Sequence, residues 1–228
     1  MQTSHPSLSR QQSFALIWAI LPFTLIAQVN GLYTDHLAKY SKTLFWSVDF
    51  LQWIFIPLIT VYLLAKRVDI PPKHYGFDRS KLWLHTPILD SIAIFATAGT
   101  AFFLAKAIAW TAFGHPTGAY SIVTAFPTGF FLSKLVWLYT GITAGIVESI
   151  FFIGLPWLLY RTLSNNPSAT VFTLIITAYF AASHWEQGPH IIAAAFCCQL
   201  ILCAWYFRRG NLWAIAAGHT LIDLFAFY

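Results

Sequence analysis

Hydrophobic residues in this chain run in long unbroken blocks rather than in the short alternating segments of barrel strands. Seven blocks have the length and apolarity of membrane-spanning helices, at 14–33, 44–65, 86–112, 128–160, 168–184, 189–207 and 211–228. The fourth is long for one crossing, so its start is expected on the membrane surface. Pro22, Pro57 and Pro156 fall inside blocks, where neighbouring helices can satisfy the carbonyls that proline frees. Ile70-Pro71-Pro72 marks an extended turn, and Gly114–Pro127 is an uncharged connection. Leu25–Asn30 offers no small-x-small cleavage site, so the first block is expected to be a retained span rather than a signal peptide. Neither an internal repeat nor a low-complexity tract occurs. The expected architecture is an all-α, polytopic transmembrane bundle of about seven spans forming one membrane domain (1–228), with accessory spans in 1–127 and a helical core in 128–228.

Composition sharpens this picture. Charged residues make up 9% of the 228 positions and hydrophobic ones 58%, too few charges to cover a water-facing surface. The net charge of +5 is unevenly placed. With the N-terminus inside, Arg10, Lys66, Arg67, Lys73, Arg79, Lys81, Arg161, Arg208 and Arg209 lie on the inner side, and only Lys39 and Lys42 on the outer. That is the positive-inside pattern beside anionic lipid, and it gives no reason to invoke nucleic acid. It leaves the C-terminus outside. Cys197, Cys198 and Cys203 share one apolar block without a C-x-x-C, and are read as core residues.

Against this apolar background, Glu148 stands out as the one charged residue in Gly141–Tyr160. A carboxylate at mid-bilayer costs roughly 3 kcal/mol or more, so it is seldom accidental. A purely structural glutamate would need a cation or several donors, and no Lys or Arg lies nearby in sequence. Histidines from other blocks are the natural partners. His219 and Asp223, four apart, share one helix face. Read alone, they are equally a mutually satisfied pair that braces helices. His184 closes the fifth block, with Phe180 one turn earlier placed to pack beneath its ring. Counting along helices puts Glu148 and Asp223 each roughly 18 Å from the inner end, His219 about 12 Å and His184 about 24 Å. The last value sets His184 apart in depth. Glu186 is expected in solvated loop, and Asp49 and Asp90 in helix-to-helix hydrogen bonds. Gly141 and Gly145 form a G-x-x-x-G that permits close helix approach just before Glu148.

Three segments in this order resemble the CPBP (Abi) family of intramembrane proteases, which includes CAAX prenyl endopeptidases and bacterial bacteriocin-processing or immunity proteins. That family shows E-E-x-x-x-R, F-x-x-x-H and H-x-x-x-N/D. Here the second motif is complete as Phe180 to His184 and the third as His219 to Asp223. In the first, Glu148 is present, but Ser149 and Ile153 replace the second glutamate and the arginine. The loss of both together is coherent, because a buried arginine without its partner costs more than neither.

The resemblance implies a glutamate-dependent peptidase. Glu148, helped by His184, would deprotonate the attacking water, and His219 with Asp223 would stabilise the oxyanion. No cofactor is then expected. Zinc held by Glu148, His184 and His219 is the rival within the enzyme reading. The expected partners are a membrane-anchored or membrane-associated peptide substrate and the lipid bilayer, and the expected location is a bacterial inner membrane. Two other classes fit the same residues: a non-catalytic immunity factor or scaffold, and a proton-coupled transporter. The absence of repeated halves speaks against the transporter.

Overall fold

The computed structural model describes residues 8–81, 86–114 and 122–227, Thr86 by its backbone alone. Part of the Gly114–Pro127 connection therefore lies outside the described residues. Among those described, the chain is helical, without strands. Each apolar block becomes a helix: α1 (Arg10–Leu32), α2 (Lys42–Arg67), α3 (Pro87–Phe113), α4 (Phe130–Leu163), α5 (Ala169–Ala182), α6 (Pro189–Arg209) and α7 (Leu212–Ala226). Five of them, α1–α4 and α6, are long and apolar enough to cross a membrane; α5 and α7 are shorter. Exposed Phe14, Trp18, Leu58, Tyr62, Ile88 and Leu104 give the bundle an apolar exterior suited to hydrocarbon rather than water.

Local sequence signals account for the helix ends. Ser9 and Gln12 form a reciprocal capping box at the start of α1, and Ser168 and Asn211 cap α5 and α7. Gly210 ends α6 in the left-handed conformation. At 34 residues, α4 is about 51 Å long, and its first residues Phe130 and Phe131 are exposed, as the surplus length requires. Its most apolar window is 61% buried, against 22%, 17% and 22% for α1, α2 and α3, so α4 is the central helix.

Two prolines inside these helices follow wide π-type turns, Pro57 after Leu51–Phe55 and Pro156 after Ile150–Gly154. Proline has no N–H for the carbonyl four residues back, and the extra residue in the turn absorbs the resulting clash. For Pro156 that carbonyl belongs to Phe152, and Gln199 Nε2 on α6 donates to it at 3.4 Å. A π turn thus begins two residues after Glu148, on the helix that carries it.

The basic residues assigned to the inner side gather at one end of the bundle. There the 66–81 loop clasps the ends of α4, α6 and α7. Arg161 donates to His74 O at 2.9 Å, Lys81 to Gly210 O at 2.7 Å, and Tyr206 to Tyr75 O at 3.2 Å. Gly76, at φ 111°, turns its carbonyl to accept from Leu212 N at 2.9 Å. Asp90 is buried and pairs with Arg209 at 3.3 Å, so the helix-to-helix contact expected of it is made as an ion pair between α3 and α6.

Candidate functional site

Glu148 meets its partners because α4 and α7 approach closely. A Cβ added at Gly141 would fall 2.6 Å from Leu224 Cδ2, and one at Gly145 would sit 2.7 Å from Thr220 Cα. The small residues of the G-x-x-x-G therefore let the α7 backbone lie against α4. Thr220 and Leu224 alternate with His219 and Asp223, so the same contact delivers both polar residues to Glu148. His219 Nε2 lies 3.5 Å from Glu148 Oε2 and 3.7 Å from Asp223 Oδ2. The three side chains are 12%, 5% and 15% exposed, in the order Glu148, His219, Asp223. One imidazole nitrogen thus faces two carboxyl groups.

His184 joins the site from beyond the end of a helix. The 14-residue α5 stops at Ala182, where Ser183 Oγ donates to Phe180 O at 2.7 Å. His184 follows in the turn, so the depth counted along an unbroken helix does not apply to it. Its Nδ1 lies 3.1 Å from Phe180 O. A carbonyl only accepts, so in this contact Nδ1 donates, which makes Nε2 the acceptor whenever the ring is neutral. Phe180 packs edge-on against this imidazole with centroids 4.8 Å apart, as its spacing predicts, and reaches His219 at 6.2 Å and Phe152 at 5.1 Å.

All four residues singled out in the sequence line one cavity of about 390 Å³. The imidazole in contact with Glu148 is His219, while His184, expected to help Glu148 activate water, lines the same cavity. Ion-pair contacts within 4.0 Å join His219 to both carboxylates, and among the described residues none involves His184. Among the described residues, Glu148, His219 and Asp223 form a group that could hold an ion, each offering one ligand atom within 4.8 Å of the others. Asp223 thus takes the place given to His184 in the expected zinc set. Ligands of one tetrahedral zinc lie about 3.3–3.5 Å apart, a spacing that Zn–N and Zn–O bonds near 2.0–2.1 Å impose. The Glu148–His219 and His219–Asp223 contacts approach it.

The two departures from the family motif are absorbed by the core. Ser149 is fully buried and donates to Gly145 O at 2.6 Å, while Ile153 is fully buried among apolar side chains. No charge remains where the glutamate and arginine of relatives would stand.

Several further polar residues line the cavity. Asp49 accepts from Tyr139 at 2.7 Å, the helix-to-helix bond expected of it, and faces the cavity as well. Glu186 is not solvated loop: it lines the cavity and is half-buried, with Oε2 shielded from solvent. Lys106 sits over Trp110 at 4.9 Å, and Trp110 stacks on His190 at 5.4 Å, all three in the wall. Cys198 also lines it, and all three cysteines are free, with Cys198 and Cys203 buried, as read from the sequence. The first helix is tied to this wall: Gln28 donates to Tyr179 O at 2.7 Å, and Trp185 donates to Gln28 O at 2.8 Å. No short motif marks these positions, because only the packing of α1, α2 and α3 against α4–α7 makes them neighbours.

A bundle of apolar helices enclosing an acid–imidazole–acid cluster and a second histidine defines an integral, multi-pass membrane protein with a polar interior site. Residues 131–225, the part that carries all three motifs, match the family described as type II CAAX prenyl endopeptidase Rce1-like. That agrees with the CPBP and CAAX-protease resemblance, and it supports a membrane protease as the class. No curated protein and no solved structure matches the chain.

Proposed function

We propose that the protein is an intramembrane endopeptidase of the glutamic type, in which Glu148 activates a water for attack on a peptide bond of a membrane-anchored or membrane-associated substrate. The observation that carries the reading is the convergence of Glu148, His219 and Asp223 within 4.8 Å, on a cavity that His184 also lines. In this scheme Glu148 takes a proton from water while His184 Nε2, an acceptor by virtue of the Nδ1 contact to Phe180 O, holds the same water in line. The hydroxide adds to the carbonyl carbon. His219, oriented by Asp223, donates to the oxyanion. Collapse breaks the C–N bond, and Glu148 returns its proton to the leaving amine, giving one new carboxyl group, which keeps the second proton of the water, and one new amine.

Removing a positioned base or an oxyanion donor costs about 10²–10⁴ in rate. Glu148→Ala, His184→Ala and His219→Ala are each expected to abolish processing while the protein still accumulates. The test is a comparison of membrane-peptide termini in cells carrying wild type or each variant, and undiminished cleavage by Glu148→Ala rules the mechanism out. Zinc on Glu148, His219 and Asp223 is the second reading, favoured by their ligand spacing. Bound there, zinc would polarise the carbonyl and acidify the water. Stoichiometric metal in purified protein, with activity lost to a chelator and restored by zinc, would establish it in place of the glutamic scheme. We place the protein in a bacterial inner membrane, on its short loops and the one-sided basic charge.

A further inference from the structure

The residues that line the cavity come from one half of the bundle. They lie near the end of α1 (Asn30), in the first half of α2 (Asp49), the second half of α3 (Lys106), the middle of α4 (Glu148), the turn after α5 (His184), the first half of α6 and the second half of α7 (Asp223). The basic clasp sits at the opposite ends of the same helices, where Lys66, Arg67, Arg161, Arg208 and Arg209 close α2, α4 and α6. No residue of the 66–81 loop, and none from 157–170 or 199–217, reaches the cavity wall. Between the clasp and the site the core is filled by Phe151, Leu155, Leu158, Leu202 and Leu212, each fully buried, with Phe152 closing that side of the cavity. A peptide approaching from the basic face meets packed side chains.

We infer that the cavity opens to the extracytoplasmic side of the membrane and receives a peptide bond presented from that side, in a polypeptide whose adjoining segment is anchored in the bilayer. Nine of the 13 Lys and Arg lie at the basic end, and short loops rich in these residues stay on the cytoplasmic side. The cavity end is therefore the translocated end. The substrate class follows: a secreted or membrane-anchored chain cut after its outer portion has crossed, rather than a lipidated tail delivered from the cytosol. This rests on the peptidase reading for the cutting, while the sidedness rests on charge and packing alone.

Two single cysteines test the sidedness without touching the site. Tyr40 is 84% exposed, in the segment joining the cavity-lining residues Thr34 and Phe45, and Ser80 is exposed in the basic loop. Y40C and S80C are labelled with a membrane-impermeant maleimide in intact cells and again after permeabilisation, with wild type setting the background of the native cysteines. The expected result is undiminished labelling of Y40C in intact cells and loss of S80C labelling to background until the membrane is opened. Labelling of S80C in intact cells, or of Y40C only after permeabilisation, overturns the inference. Termini lost in the Glu148→Ala strain should also map to the outer flank of substrate anchors. If no such termini exist while the labelling holds, the peptidase reading fails and the orientation stands.

Discussion

Phe180 touches three rings at once, Phe152, His184 and His219, and is 2% exposed. Truncating it to alanine should cost about 3–5 kcal/mol in stability, which would blur any catalytic reading. Phe180→Leu removes the aromatic edge while keeping most of the volume, at an expected cost below about 1.5 kcal/mol. It should therefore melt near wild type yet process poorly, because His184 loses the ring that fixes its rotamer; equal loss in melting temperature and processing would instead mark a purely structural role. This contact was legible in the sequence, since four residues on a helix bring two rings together. The placing of His184 in a turn was not. His184 lies past the last helical turn of α5, and that break is set by the Ser183 and Phe180 hydrogen bonds rather than by any change in hydropathy.

Among the elements, the α4–α7 contact does most to build the site. Gly145→Ala sets a methyl group against the Thr220 backbone, which cannot yield as a flexible side-chain tip could. Overpacking of this kind costs about 1–3 kcal/mol, and it should pry His219 from Glu148, lowering both melting temperature and processing. Gly129→Ala, where nothing lies within 4 Å of an added Cβ, is the matched control and should leave both unchanged. The G-x-x-x-G announced this approach, and the i, i+4 spacing placed His219 and Asp223 on one face. The π turns after Phe50, Ile94 and Ser149 gave no such sign beyond Pro57 and Pro156, because they depend on how the helices pack. The cavity wall formed by Lys106, His190 and Glu186 was hidden for the same reason. Each is unremarkable along its own segment and acquires a neighbour only in three dimensions.

At the scale of the molecule, charge and chemistry occupy opposite ends. Block hydropathy revealed the helices, and the distribution of Lys and Arg revealed the basic face, but the plugged core between that face and the site required the packed structure. Arg209→Ala should leave Asp90 buried without its cation. Because Arg209 is 43% exposed and water screens the pair, the expected loss is only about 1 kcal/mol. A lower melting temperature with processing retained would show that the clasp stabilises the fold at a distance from catalysis.

The central claim is that Glu148 performs hydrolysis rather than bracing helices, and Glu148→Gln tests it most directly, since the amide keeps the shape and hydrogen-bonding capacity but cannot take a proton. The measurement is a proteome-wide map of membrane-peptide termini in cells carrying wild type or Glu148→Gln at equal abundance and equal melting temperature. Termini present with wild type and missing with the glutamine variant are the expected result. The same termini at the same levels in both would contradict the account.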